Sequence, residues 1–123
     1  MAEAQSRSEI RDLLGRHGLH PRKRLGQHFL ADPNIVDKIV RTAGTGPGDR
    51  VVEIGPGTGT LTRALAGAGA SVLAIEVDEG LRPVLEETVG GIDRVRLLFA
   101  DAAMMSCATS SYGRSARRFC FIQ

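Results

Sequence analysis

Aromatic residues and long apolar runs are scarce in this chain of 123 residues. There is no Trp, and Tyr and Phe together contribute five residues, so we expect an aliphatic core. No apolar run approaches the roughly 18 residues that a membrane-spanning helix needs. The polar residues 1–11 also differ from a secretory signal peptide. These absences predict a cytoplasmic protein without a membrane partner.

Cysteine is scarce as well. Cys107 and Cys120 both lie in the last 17 residues, and they are the only two. A lone pair in a chain without a signal peptide is weak evidence for a disulfide, so we expect free thiols. The length supports one small domain and not two, and we expect a monomer.

The net charge is only +2, but it is unevenly distributed. Residues 1–50 carry nine Lys and Arg against six Asp and Glu, and residues 102–123 carry three Arg and no acid. Residues 51–101 carry four basic against eight acidic side chains. This pattern is typical of a ligand-binding domain with a basic, polyanion-binding edge. A solvated surface is the alternative.

Hydrophobic periodicity and capping signals predict an alternation of helices and strands. Ser8 and Asp32 are the expected N-caps of the first two helices, with Pro33 in the first turn of the second. Gly18 and Gly44 are expected to end these helices. Further helices are predicted over 58–68 and 79–89. Strands are predicted over Arg50–Ile54, 71–75 and 94–99, with 119–122 as a candidate fourth.

The order strand–helix–strand–helix–strand predicts an α/β fold with parallel βαβ units and right-handed crossovers. Residues 1–49 form a helical, basic segment, and residues 50–101 form the ligand-binding core. Doubly wound sheets have five or more strands, so we expect a fold truncated after about three, with one edge of the first strand unpaired. We interpret residues 102–123, with four Ser and no clear period, as an anomalous tail from frameshifted or truncated translation. Natural divergence is the alternative.

A glycine-rich turn after the first strand is the most informative stretch, Glu53-Ile54-Gly55-Pro56-Gly57-Thr58-Gly59. The dinucleotide fingerprint requires a sixth-position glycine, where this chain has Thr60, and Pro56 lacks an N–H for a phosphate. A Walker A loop is excluded because no Gly-Lys-Ser/Thr follows. The spacing suits an adenosyl ligand without a pyrophosphate, and it disfavours an NAD-binding fragment.

Acidic residues follow the next two strands. Glu76 lies 21 residues beyond Gly55 and is placed to accept both ribose hydroxyls. Asp101 is placed to accept a hydrogen bond from the exocyclic amine of adenine. In an adenosyl ligand that also carries methionine, Glu53 is expected to hold the charged methionine end, either directly or by stabilising the loop. The alternative is that Glu76 and Asp101 are merely polar residues that end strands.

These motifs together resemble the rRNA adenine N6-dimethyltransferases, which have the Rossmann-like class I methyltransferase fold. The resemblance covers about residues 8–101 and is closest to the small-subunit, kasugamycin-resistance branch. Large-subunit macrolide-resistance methyltransferases share much of the pattern. The matching residues are Arg24-Leu25-Gly26-Gln27-His28-Phe29-Leu30, Asp32, Ile35, Val52 to Gly59, and Leu61-Thr62.

The resemblance implies S-adenosyl-L-methionine as cofactor and no metal. It places cofactor contacts on His28, Leu30, Gly55, Glu76 and Asp101, beside the loop residues Glu53, Gly57 and Gly59. The basic run Arg22, Lys23 and Arg24 would contact RNA phosphates. A solvated basic loop is the alternative for that run.

The implied reaction is dimethylation of N6 on two adjacent adenosines near the 3′ end of small-subunit (16S) rRNA in the pre-30S particle. In the family, an Asn-Leu/Ile-Pro-Tyr/Phe motif after the fourth strand holds the flipped adenine. That motif is absent here, since the only Asn is Asn34 and the last Pro is Pro83. We therefore predict no catalytic residue and an inactive N-terminal fragment. A non-catalytic adenosylmethionine- or RNA-binding short protein is the alternative.

Overall fold

The computed structural model describes residues 6–19, 32–102 and 118–122, and within them it contains four α-helices and four strands. None of these helices is long and apolar enough to cross a membrane. In chain order the elements are α1 (Arg7–Arg16), α2 (Pro33–Ala43), β1 (Arg50–Ile54), α3 (Thr60–Gly67), β2 (Ser71–Glu76), a 3-10 turn (Glu79–Leu81), α4 (Arg82–Thr88), β3 (Val95–Phe99) and β4 (Arg118–Ile122).

The four strands form one parallel sheet in the order β3-β2-β1-β4. Val51 of β1 pairs with Val72 of β2, which in turn pairs with Val95 of β3. On its other side, β1 pairs along its whole length with β4, with Val52 opposite Cys120. The expectation of an unpaired edge on β1 was therefore wrong. The short run 119–122 is the fourth strand, and Arg118 extends it to the length of β1.

Local signals place the ends of α1 and α2. The N-cap of α1 is Ser6 and not Ser8, because Ser6 has a Glu three residues later: its hydroxyl accepts from the Glu9 amide at 3.3 Å, and its own amide donates to the Glu9 carboxylate at 2.6 Å. Gly18 follows in the left-handed conformation, as predicted. Asp32 caps α2 by accepting from the Asn34 amide at 2.9 Å.

Two predicted helices begin later than expected. α3 begins at Thr60 instead of Thr58, because Gly57 and Gly59 have φ values of +62° and +88°, outside the helical region. The predicted helix over 79–89 starts as a 3-10 turn and becomes α-helical at Arg82. Pro83 explains the division, since its ring would clash with the carbonyl of the residue four positions earlier in a continuous α-helix.

The buried core is aliphatic among the described residues, as predicted, and it forms two clusters. The first joins α1, α4 and the turn before it, through Ile10, Leu13, Leu14, Leu81, Val84, Leu85 and Val89. The second joins α2 and α3 to the sheet, through Val36, Val51, Leu61, Leu65, Ala66, Ala70 and Val72. Ile92 and Val95 pack against both clusters, so α1 and α2 share one continuous core with the sheet.

Candidate cofactor site

The carboxyl ends of β1, β2 and β3 meet at one edge of the sheet. The Gly55 amide donates to the Ile75 carbonyl at 2.8 Å, and the Ala100 amide donates to the Glu76 carbonyl at 3.0 Å. The strand pairing thus continues one residue beyond β1 and β3. It brings together the starts of the glycine loop (residues 55–59) and of the segment that carries Asp101. In open α/β sheets, ligands bind at this edge.

Left-handed backbone conformations shape the glycine loop. Gly55, Gly57 and Gly59 have φ values of +75°, +62° and +88°, which favour glycine over any other residue. The Gly59 amide donates to the Pro56 carbonyl at 2.9 Å and closes a tight turn. The Arg63 amide then donates to the Gly59 carbonyl at 2.9 Å as the first bond of α3. The spacing Gly-x-Gly-x-Gly therefore has a direct conformational cause.

The Glu76 carboxylate anchors the loop from the end of β2. It is 5% exposed, and its Oε1 accepts from the Gly57 amide at 3.2 Å while Oε2 accepts from the Asp78 amide at 3.1 Å. An ionised carboxylate has about four acceptor positions, so each oxygen can take a further hydrogen bond. Two neighbouring hydroxyl donors, as in a ribose, fit that remaining capacity.

Glu53 lies beneath the loop. It is fully buried in β1, and the buried Thr62 hydroxyl in the first turn of α3 donates to its Oε1. This contact joins the strand and the helix on either side of the loop. Of the two roles expected for Glu53, the burial favours stabilisation of the loop over direct contact with a ligand. Thr62 was not among the predicted site residues.

Gly59 permits a close approach between the loop and α4. A Cβ at this position would lie 2.8 Å from the Thr88 hydroxyl oxygen and 2.9 Å from a methyl carbon of Val89. The structure thus gives Gly59 a packing role, distinct from the cofactor contact that we predicted. Thr88 and Val89 were not predicted as site residues, because no local pattern reveals a contact between residues about thirty positions apart.

Asp101 is exposed and lies two residues beyond β3. The ring of Phe99, the last residue of β3, packs beneath the Arg82 guanidinium, whose Cζ lies 4.1 Å from the ring centroid. Arg82 is itself held by Glu79, which accepts from Nε at 2.9 Å and from Nη2 at 3.0 Å. Arg82, Glu79 and Phe99 were not among the predicted site residues.

The remaining predicted site residues lie outside the described part of the chain. His28 and Leu30, expected to contact the cofactor, and Arg22, Lys23 and Arg24, expected to contact RNA, all fall within residues 20–31. Their roles stay predictions.

A charged cluster joins α1 to α4. Glu87 accepts from Arg16 Nη1 at 2.7 Å and contacts His17 Nε2 at 3.0 Å. These hydrogen bonds, first from His17 and then from Arg16, hold the pKa of the Glu87 carboxyl below its ordinary value. Glu87 directly precedes Thr88, so this cluster lies next in sequence to the contact with Gly59.

Two solved structures with a similar fold are an rRNA methyltransferase and a dimethyladenosine transferase. The 23S rRNA methyltransferase ErmE is 34% identical, with a TM-score of 0.59, over 64% of this chain and 32% of its own. A dimethyladenosine transferase from Plasmodium falciparum is 28% identical, with a TM-score of 0.60, over 78% of this chain and 33% of its own. They confirm the Rossmann-like class I methyltransferase fold predicted from the sequence.

Several bacterial relatives are closer in sequence. The ribosomal RNA small subunit methyltransferase A of Deinococcus radiodurans is 52% identical over 82% of this chain and 34% of its own length. The protein of the same name from Moorella thermoacetica is 57% identical over 73% of this chain and 31% of its own. This chain therefore spans about a third of the length of these relatives.

The family model described as ribosomal RNA adenine dimethylase matches residues 18–119. The match includes the segment with His28 and Leu30, all three strand ends of the site, and residues 102–119 of the predicted anomalous tail. It covers more than four fifths of the chain. The chain belongs to the ribosomal RNA adenine dimethylase family, whose members are S-adenosylmethionine-dependent methyltransferases.

Proposed function

We propose that this chain carries the S-adenosyl-L-methionine-binding part of a small-subunit rRNA adenine N6-dimethyltransferase. The observation that carries the proposal is the Glu76 carboxylate, which is tied to the Gly57 amide and lies beside the ends of β1 and β3. A carboxylate fixed at the carboxyl end of the second strand is suited to recognise a ribose.

Each residue at this edge has a proposed role. Glu76 accepts the ribose hydroxyls, and Asp101 accepts a hydrogen bond from the adenine amine. Gly55 and Gly57 allow the backbone to approach the ligand closely. Glu53 keeps the loop in place through Thr62. His28 and Leu30 complete the cofactor contacts by resemblance to the family.

A dinucleotide is the less favoured ligand for this loop. A pyrophosphate requires free amides at the start of the helix. Here the Gly57 amide donates to Glu76, the Gly59 amide donates to Pro56, and Pro56 has no amide proton. The buried carboxylate of Glu76 would also repel a phosphate placed against the loop.

The proposed reaction of the whole protein is dimethylation of N6 on two adjacent adenosines near the 3′ end of 16S rRNA, in the pre-30S particle. The bacterial relatives named ribosomal RNA small subunit methyltransferase A favour this substrate over large-subunit rRNA. In this proposal the basic run Arg22, Lys23 and Arg24 contacts phosphates of the RNA. The reaction takes place in the cytoplasm.

These 123 residues contain no Asn-Leu/Ile-Pro-Tyr/Phe motif to hold the target adenine. We therefore propose that the chain on its own binds the cofactor without transferring methyl groups.

Calorimetric titration of the purified chain tests the proposal. We expect saturable binding of S-adenosyl-L-methionine and none of NAD. Glu76→Gln should weaken binding about tenfold or more, because it replaces a charged acceptor of two hydrogen bonds with a neutral one. Glu86→Gln, an exposed change on α4, is the matched control and should leave the affinity unchanged.

A second measurement separates binding from turnover. With labelled S-adenosyl-L-methionine and undermethylated small ribosomal subunits, we expect no label above the level of a Glu76→Ala control. Transfer above that level would show that another group in the chain holds the acceptor. Binding of NAD in place of adenosylmethionine would overturn the cofactor assignment itself.

A further inference from the structure

We propose that Arg82 is a positioning residue for adenine recognition: with Glu79 and Phe99 it fixes the end of β3, from which Asp101 reaches the adenine amine. This inference rests on the proposed function, and it concerns residues that the family motifs described above do not include.

The contacts of Arg82 use its guanidinium in two ways. Nε and Nη2 donate to the two carboxylate oxygens of Glu79 at 2.9 Å and 3.0 Å, which fixes the plane of the group. The guanidinium also lies over Phe99, with Cζ 4.1 Å from the ring centroid. A planar fork that also lies over an aromatic ring is a geometry available to Arg and not to Lys. The Arg82 side chain makes both contacts although 46% of its surface is exposed.

The end of β3 needs such a restraint. β3 is an edge strand of the described sheet, so only β2 holds its backbone. At the carboxyl end, the Ala100 amide donates to the Glu76 carbonyl at 3.0 Å. The stack on Phe99 holds the residue before Ala100 from the side of α4. Asp101 therefore directly follows two restrained residues: Ala100 is held by β2, and Phe99 is held by Arg82.

The position of Asp101 matters most for the group at C6 of the purine. Its carboxylate can accept a hydrogen bond from an amine, but it is repelled by a carbonyl oxygen. A site that hydrogen-bonds a ligand N–H rejects the analogue without it, provided that the acceptor is held in place. Loosening the end of β3 therefore reduces discrimination between adenine and hypoxanthine. A general loss of protein stability would instead weaken the binding of both ligands to the same extent.

The test compares the dissociation constants of S-adenosyl-L-homocysteine and S-inosyl-L-homocysteine with the full 123-residue chain. We expect the unmodified chain to favour the adenosyl ligand. Arg82→Ala should lower the ratio of the inosyl to the adenosyl dissociation constant by about two- to fivefold. This is the range expected for loss of an exposed cation–π contact. Arg82→Lys should restore part of it, because Lys keeps the charge but not the fork.

Arg41→Ala is the matched control, since it removes another exposed Arg that is paired to an acid close in sequence, Asp37. Its ratio should equal that of the unmodified chain. Phe99→Leu removes the ring while keeping an apolar side chain, and it should lower the ratio as Arg82→Ala does. It supplies the same test if Arg82→Ala does not fold.

Two failures are distinguishable. If Arg82→Ala and Phe99→Leu bind the adenosyl ligand with an unchanged ratio, the positioning role is wrong and the proposed function stands. If the unmodified chain binds neither ligand, the proposed function fails and the positioning role fails with it. Equal binding of both ligands by the unmodified chain would remove Asp101 from adenine recognition and would also overturn the inference.

Discussion

At the scale of single residues, the glycine loop is held by atoms from three separate elements. Glu53 of β1 contacts Thr62, Glu76 of β2 accepts from the Gly57 amide, and Gly59 packs against the end of α4. The conformation of the loop is therefore a property of its surroundings as much as of its glycines.

The close approach at Gly59 gives a prediction about stability. Gly59→Ala would place a methyl group within 3 Å of Thr88 and Val89, at a φ of +88° that alanine disfavours. We expect the free energy of unfolding to fall by about 2 to 4 kcal/mol, from overpacking together with the left-handed backbone. Urea denaturation measures it.

Gly91→Ala is the control for this change. A Cβ at Gly91 would meet nothing within 4 Å, and its φ lies outside the left-handed range. It should alter the free energy of unfolding by about 0.5 kcal/mol or less. Equal losses for the two variants would show that the contact with Thr88 and Val89 does not limit the loop.

The sequence predicts some residues of the candidate site and not others, for a physical reason. Gly55, Glu76 and Asp101 lie at the ends of strands or just beyond them, and parallel strands always bring their carboxyl ends to one edge. Thr62, Thr88 and Arg82 belong to helices, whose rotation and position over the sheet depend on packing. No spacing rule specifies that packing in advance.

At the scale of elements, helix ends with a local chemical cause could be predicted. Asp32, Pro33 and Gly44 mark the ends of α2, and each acts through its own side chain or φ angle. The error at α1 came from choosing Ser8, when Ser6 followed by Glu9 carries the stronger capping signal. Strand β4 could be recognised as an apolar run, but its place beside β1 depends on a pairing between residues distant in sequence.

The contact between α1 and α4 predicts a dependence on pH. The pKa of Glu87 is lowered in the folded chain by His17 and Arg16. A depressed carboxyl pKa adds stability above its unfolded value, about 4.3, and that stability is lost as the pH falls through the lower folded value. We expect Glu87→Gln to lower the melting temperature at pH 6, with a difference that shrinks towards pH 3.

Melting curves of Glu86→Gln provide the comparison, because Glu86 is exposed on the same helix. The difference between Glu86→Gln and the unmodified chain should change less over the same pH range. A constant difference for Glu87→Gln from pH 6 to pH 3 would mean that its ion pairs do not stabilise the docking of α1.

At the scale of the whole molecule, β4 changes the expected behaviour of the sheet. An unpaired β1 would expose backbone donors and acceptors at the centre of the site and would favour aggregation. With β4 in place, the edges of the described sheet are β3 and β4. The sequence could not predict this, because its four-residue apolar run has no charge pattern or cap to identify a partner strand.

Removal of residues 118–123 tests the contribution of β4. Without that strand the edge of β1 becomes exposed, and we expect more aggregation at equal protein concentration, measured by light scattering. Removal of residues 1–5 is the control for shortening the chain, and should have little effect. Equal scattering from the two shortened chains would show that β4 does not protect β1.

The three anchors of the glycine loop also bear on how this site can be moved between proteins. Transplanting only residues 55–59 would leave behind Glu76, the contact between Glu53 and Thr62, and the end of α4. At the end of α4, Thr88 and Val89 occupy the space that a side chain at Gly59 would need. The smallest unit that could be transferred is therefore the stretch from β1 to the end of α4, about forty residues that restrain one another's conformation. Sequence drift within that unit should be correlated, with Gly59 and Val89 changing together or not at all.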